Sequence, residues 1–312
     1  MRAEGGTTIV SDTERAGGAT ADAEASARSD AMTGGASSAR GGGRTGDGTG
    51  GGTRGRAGDA PGGASGAVFA QLYPCERCPL NAHDGFITHD ADETQVLSTF
   101  KRGELQVDPN STFLVEGTNS PHLYTVLSGW GFRYKMLEDG RRQIMNFIMP
   151  GDFLGLQSSL FGEMQHSVQS LSRMLLCVFE RNALHKLFES RAQLSYDITW
   201  IAAREEQILE EHMLSIGRRS ALERSAYLIA FVHARGRRTG LIEEGGPIAP
   251  FTQTHVADTL GLSLVHTNKT LRKLQDTRAI RWSGKSCYVN DEAALREMAS
   301  WQGLPKLDRP FI

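Results

Sequence analysis

Between Arg191 and Ile216 the chain contains neither proline nor glycine, so an α-helix of about seven turns and ~39 Å is its natural conformation. Leu194, Ile198, Ile201, Ile208 and Ser215 fall near one a/d seam, with Leu209, Met213 and Ile216 alongside, while Glu205, Glu206, Glu210 and Glu211 face elsewhere. A helix this long and two-faced outruns a single small domain. Its seam therefore packs either on the chain's own preceding domain or, as the favoured reading, on the same helix of a second copy. Gly217 is expected to end it.

The pattern on either side of this helix differs. From Phe100 to Phe179, short runs rich in strand formers, such as 123–127 and 144–148, are broken by turn signals at Asp108-Pro109-Asn110, Ser128-Gly129, Asp139-Gly140 and Pro150-Gly151-Asp152. This spacing predicts an antiparallel β roll, with a hairpin turn at Glu138–Arg141. After the helix a second helical segment begins at Arg218-Arg219-Ser220-Ala221 and ends near Gly236, and a Gly-rich linker follows at 240–246. The fold class is α+β. Its expected parts are a Gly-rich tail (1–66), the β roll (67–190), the long helix (191–217), a mainly helical C-terminal unit (218–298) and a C-terminal tail (299–312).

The first 66 residues hold 19 of the 36 glycines and almost no large apolar side chains, so they cannot offset the entropy of ordering and are expected to be disordered. No secretory signal and no run approaching the ~20 residues of a membrane span is present. A cytoplasmic protein with no membrane partner is expected. In that compartment Cys75, Cys78, Cys177 and Cys287 are not expected to form structural disulfides.

A formal charge of -2 argues against nucleic-acid binding only if charge is evenly spread. Between Phe251 and Val289, however, six cations (Lys269, Arg272, Lys273, Arg278, Arg281, Lys285) face two acids (Asp258, Asp276). Here Thr252 is a helix N-cap, Ala257 allows close helix approach, Gly261 turns the corner and Ser263 caps the next helix. That second helix, 264–274, should turn Leu264, Leu271 and Leu274 inward and leave His266, Asn268, Lys269, Arg272 and Lys273 to a DNA groove. Two strand-like runs joined at Ser283-Gly284-Lys285 form a wing with Lys285 at its tip. Thr252, Gln253, Thr254 and Ser263 complete the candidate contact set. A merely solvated basic face is the plainer alternative, but helix, turn, helix and wing in that order favour double-stranded DNA.

A β roll with Pro-Gly-Asp-Phe-Leu-Gly at 150–155, a long helix, Arg-Arg-Ser-Ala-Leu-Glu-Arg at 218–224 and this C-terminal motif together resemble the Crp/Fnr family over about 73–298. The resemblance implies a DNA-binding transcription regulator: a homodimer with an effector-sensing, cyclic-nucleotide-binding-like roll, reading a twofold-symmetric site, with RNA polymerase as a further partner. Where members of that family with the best-known site carry Glu-x-x-Ser-Arg, this chain has Val265, Asn268 and Lys269, so its half-site should differ.

The resemblance also frames the sensor. The candidate effector pocket comprises Gly155, Gln157, Ser158, His166 and Ser167. His166-Ser167 stands where cyclic-nucleotide binders carry Arg-Ser, and without that bidentate clamp cyclic AMP is not the expected ligand. Oxygen-sensing relatives hold an iron–sulfur cluster on four cysteines, of which Cys75, Cys78 and Cys177 match three; His83 or Asp84 stands near the fourth place. The reading without a cluster is favoured over the reading with one, leaving Cys177 a buried strand residue. A redox-labile cofactor or a thiol switch is the corresponding signal.

No nucleophile–base pair, phosphate-cradling loop or closed metal-ligand set supports an enzyme. The rival class is a ligand-binding module acting on a protein partner, against which the basic second helix argues. His212 and His233 read as ordinary seam or surface residues, Cys287 as packing, and the segment 301–312 carries no signal.

Overall fold

The computed structural model describes residues 69–312, so the expected tail over 1–66 lies outside the described residues. Two 3-10 turns, Cys75–Arg77 and Pro79–Ala82, lead into helix α1 (Ala91–Phe100), which opens on a reciprocal cap between Asp90 and Glu93. Eight strands follow: β1 (Lys101–Val107), β2 (Thr112–Leu114), β3 (His122–Ser128), β4 (Gly131–Met136), β5 (Arg142–Ile148), β6 (Phe153–Leu154), then helix α2 (Leu156–Phe161), β7 (Ser167–Ser170) and β8 (Met174–Glu180). They form two antiparallel four-stranded sheets, ordered β1-β8-β3-β6 and β2-β7-β4-β5. Val126, Ile148, Val168, Leu176 and Val178 are fully buried between them. The β roll is thus present, and β4 and β5 form the expected hairpin across Gly140.

Helix α3 (Leu184–Ser190) precedes the long helix α4 (Ala192–Arg218). Gly217 does not end α4 but lies within it. Arg219 holds the end instead, with its side chain 2.9 Å from Glu211 and its Nε donating to the Ala299 carbonyl at 2.8 Å, before the Ser220 cap starts the next helix. The cost of one helical glycine, about 1 kcal/mol, is small against such anchoring. The seam residues Leu194, Ile198, Ile201, Ile208 and Ser215 are buried within the chain, whereas Met213 and Ile216 are 71% and 41% exposed.

Helix α5 (Ala221–Arg238) leads to α6 (Gln253–Leu260), α7 (Leu264–Asp276), strands β9 (Ile280–Ser283) and β10 (Ser286–Val289), and α8 (Glu292–Met298). Trp130, Phe132, Phe147 and Met149 of the roll share one apolar cluster with Tyr227 and Phe231 of α5 and with Phe251, Val256 and Leu260 at α6. The sensor and the helix-turn-helix therefore do not have separate cores. No helix among the described residues is long and apolar enough to cross a membrane.

Candidate nucleic-acid interface

The geometry of α6 and α7 follows from their caps. The Thr252 hydroxyl accepts from the His255 amide at 3.3 Å, and His255 Nδ1 accepts from the Thr252 amide at 3.2 Å. Burial, with Arg142 nearby, pushes the His255 pKa down to about 4, which keeps the ring neutral and Nδ1 an acceptor. Gly261 ends α6 at φ 63°, a left-handed conformation that favours glycine, and Ser263 starts α7 by accepting from the His266 amide at 3.2 Å.

On α7, Thr267, Thr270, Leu271 and Leu274 face inward. His266, Lys269, Arg272 and Lys273 are exposed, and Asn268 is half-buried with its Oδ1 lacking a partner. Leu264 does not turn inward: it is 47% exposed, because it occupies the first turn, ahead of the residues that α5 and α6 cover. Of the residues before α7, Thr252 and Ser263 commit their hydroxyls to capping, Gln253 is half-buried and Thr254 is exposed. The wing pairs Ser283 with Ser286 around Gly284 and leaves Lys285 exposed. Its root is fixed by Trp282 stacked on Phe251 (5.5 Å between rings) and by the Lys285 carbonyl accepting from the Phe251 amide at 2.7 Å. These elements give a stable scaffold with an outward cationic face, the arrangement that phosphate and major-groove contact requires.

The scaffold is docked on the roll. Arg142 of β5 binds Asp258 of α6, Gln143 donates to the Thr259 carbonyl at 2.8 Å, and Trp130 Nε1 donates to the Ala249 carbonyl at 3.1 Å. Deeper, Asp152 is fully buried and accepts from Arg235 of α5 and from Arg309. Burial opposes its charge, yet Arg235, Arg309 and Arg133 outweigh this and hold its carboxyl below the usual range. The sequence places Asp152 in a turn and in the 150–155 motif, but does not mark its pairing with Arg235 and Arg309. Of the seam and surface alternatives, His212 takes the seam: it is buried, with Nδ1 2.8 Å from the Tyr227 hydroxyl, while His233 pairs with Glu292 at 2.8 Å.

In the sensor, Gly155 adopts φ 92° as the cap of α2, and Ser158 donates to its carbonyl at 2.8 Å. Ser167 accepts from the Glu116 amide at 3.0 Å, Gln157 is exposed and His166 is half-buried. Burial, then Arg133 and Lys135, push the His166 pKa down to about 3, so it offers no cation to a phosphate near neutrality.

Cys75, Cys78 and Cys177 line one cavity. Burial raises the pKa of all three thiols. Asp84 does not join them; it borders a different recess with His83, Arg237 and Asp308. Among the described residues no three His, Cys, Asp or Glu side chains are grouped as a metal ion requires, so this arrangement does not fit a four-ligand cluster. Phe311 and Ile312 also line this cavity. The segment after α8 thus carries structure that its sequence did not announce. Arg309 exchanges backbone hydrogen bonds with Gly85 and Ile87 at 3.0 and 2.9 Å, His89 Nε2 lies 2.8 Å from the Phe311 carbonyl, and Thr125 donates to that of Ile312.

Residues 90–191 match the model of the cyclic nucleotide-binding domain, and residues 223–298 that of the Crp-like helix-turn-helix domain. The chain is 31% identical over 228 residues to the nitrogen fixation regulation protein FixK of Bradyrhizobium diazoefficiens, covering 72% of this chain and 94% of FixK. It is 27% identical over 241 residues to the transcriptional activator protein FnrL of Cereibacter sphaeroides, covering 75% and 96%. Among solved structures, FixK2 from Bradyrhizobium japonicum superposes with a TM-score of 0.56 at 25% identity, over 65% of this chain and 98% of that one.

Proposed function

Because the chain belongs to the Crp/Fnr family of transcription regulators, we propose that it acts as a homodimer reading a twofold-symmetric DNA site under control of a signal received by the roll. The observation that carries this reading is the exposed row His266, Lys269, Arg272 and Lys273 on α7 beside Lys285 on the wing. Lys269 and Asn268 take base edges; Arg272, Lys273 and Lys285 take phosphates. Thr252, Gln253, Thr254 and Ser263 lie at the N-terminal ends of the two helices, where backbone amides also meet phosphate.

Dimerisation is supported by apolar residues of α4 outside its buried seam: Tyr196, Met213, Leu214 and Ile216 are 64%, 71%, 51% and 41% exposed. RNA polymerase is the proposed further partner, by family. For the signal, the cavity of Cys75, Cys78 and Cys177 supports a thiol-based input, because a change there disturbs a segment whose Arg309 also binds Asp152 beneath α5. Gly155, Gln157, Ser158, His166 and Ser167 remain the candidate lining for a small effector other than cyclic AMP.

Selection of bound sites from random duplex DNA by the anaerobically purified protein tests this reading. The expected product is a palindromic site with half-sites about one helical turn apart. Failure to enrich any site, together with heparin binding that salt does not weaken, would instead favour a module acting on a protein partner.

A further inference from the structure

Distinct from the thiol cavity, although it adjoins it through Phe86, and from the DNA-reading face, four guanidiniums meet at one recess: Arg204 of α4, Arg235 and Arg238 of α5, and Arg309. Such crowding needs countercharge, and little is present. Asp152 binds Arg235 and Arg309 from beneath. Asp308 is 3.9 Å from Arg238, but its side chain is 71% exposed and its contribution is screened. Glu205, although next to Arg204 in the chain, is committed to Arg133 at 3.1 Å and Asn146 at 2.9 Å. The cations thus outnumber the carboxylates that answer them, even counting Glu205, whose charge also acts on Arg309.

Several of the donors are committed, Arg235 to the Phe147 carbonyl and Asp152, Arg238 to the Pro305 carbonyl and Arg309 to Asp152, but two remain unspent. The Nε atoms of Arg235 and Arg309 are buried and lack any hydrogen-bond partner, although Arg235 is only 4% exposed. A buried donor left unpaired is costly, and a guanidinium edge matches the oxygens of a carboxylate or phosphate. Burial, followed by the charges of Arg235, Arg309 and Arg238, lowers the Arg204 pKa, consistent with a crowd of like charges. The rest of the wall is apolar, with Phe86, Trp200 and Leu304 among its residues. A bare inorganic ion would leave that part unused.

We propose that this recess binds a small organic anion, an oxyanion carried on an apolar body, with the guanidiniums holding the charged end and Trp200 and Leu304 the body. The site does not depend on the DNA-binding reading. Phenyl phosphate and phenylacetate are the probes, since they share one ring and differ in the oxyanion.

Isothermal titration calorimetry of the full chain at low salt, with inorganic phosphate as reference, tests it. At least one aromatic anion should bind once per chain, about tenfold more tightly than inorganic phosphate. The better of the two identifies a phosphate ester or a carboxylate as the native class. Arg204→Gln should weaken binding about tenfold, and Arg204→Lys, which keeps the charge and loses the fork, by less. Arg204 is half-exposed and its only side-chain partner is Gln207 of the same helix, so both variants should unfold at the wild-type temperature. Arg238→Gln supplies a second variant from α5. Absence of binding by both aromatic anions, binding no tighter than that of inorganic phosphate, or affinity unchanged in Arg204→Gln and Arg238→Gln overturns the proposal.

Discussion

Arg142 on β5 donates through Nε and Nη2 to Asp258 Oδ2 on α6, at 2.9 and 2.7 Å, and so ties the sensor roll to the first helix of the helix-turn-helix. Both side chains are 23% exposed, which places the pair between a screened surface bridge and a buried one. Arg142 also lies over the Phe132 ring at 4.9 Å, so it seals the edge of the shared apolar cluster.

Replacing Arg142 with alanine should therefore loosen α6 before it unfolds the chain. Amides of 253–260 should exchange faster, with a global loss of about 1 kcal/mol in denaturant titration. Exchange confined to wild-type rates in α6 would mean that the shared core alone holds the dock.

On DNA, Lys269 and Lys285 should behave differently. Lys269 sits on the exposed face of α7, so Lys269→Ala should cost about 1–3 kcal/mol on the selected site and relax the sequence preference there. Lys285 is at the wing tip. Its replacement should weaken all duplexes alike and reduce the salt slope by about one. Fluorescence anisotropy across a salt series distinguishes these outcomes, and equal effects of both on random DNA would contradict the assignment.

Acid should destabilise the fold through its buried histidines. Burial, then Arg235, hold the His212 pKa down to about 3, and His255 is pushed to about 4. Both folded values lie below the ordinary 6.5, so the stabilisation is fully present above pH 6.5 and is lost as pH falls towards those values. Each histidine contributes a slope of about 1.4 kcal/mol per pH unit where only the unfolded state is protonated. Thermal unfolding between pH 7 and pH 5 should show a falling midpoint, and His212→Gln should flatten the fall.

What could be read from the chain alone was local. Thr252, Gly261 and Ser263 act on backbone groups within a few residues, so their chemistry is written in adjacent positions. The strand runs and the Gly140 turn are local in the same sense. Asp152, by contrast, meets Arg235 and Arg309 across 83 and 157 residues, and no periodicity marks such a pairing. Leu264 misled because helical spacing gives a face but not where the covering helix ends. The seam of α4 was correctly periodic, but period alone does not say whether the surface covering it belongs to the same chain.

The closing segment offers the most direct test of the sensor end. Phe311 is 4% exposed, packs edge-on against Phe86 at 5.8 Å and His89 at 4.7 Å, and walls the cavity that holds Cys75, Cys78 and Cys177. Buried thiols with raised pKa react slowly, because the thiolate is scarce and the reagent is excluded. Phe311→Ala removes the plug, and loss of its packing should free the segment without unfolding the roll, whose sheets are held by their own ladders. A maleimide at pH 8 should then modify Cys177 about tenfold faster or more, read by mass spectrometry of its peptide. The wild-type rate in Phe311→Ala would place the barrier in the sheet around Cys177 rather than in the segment that covers it.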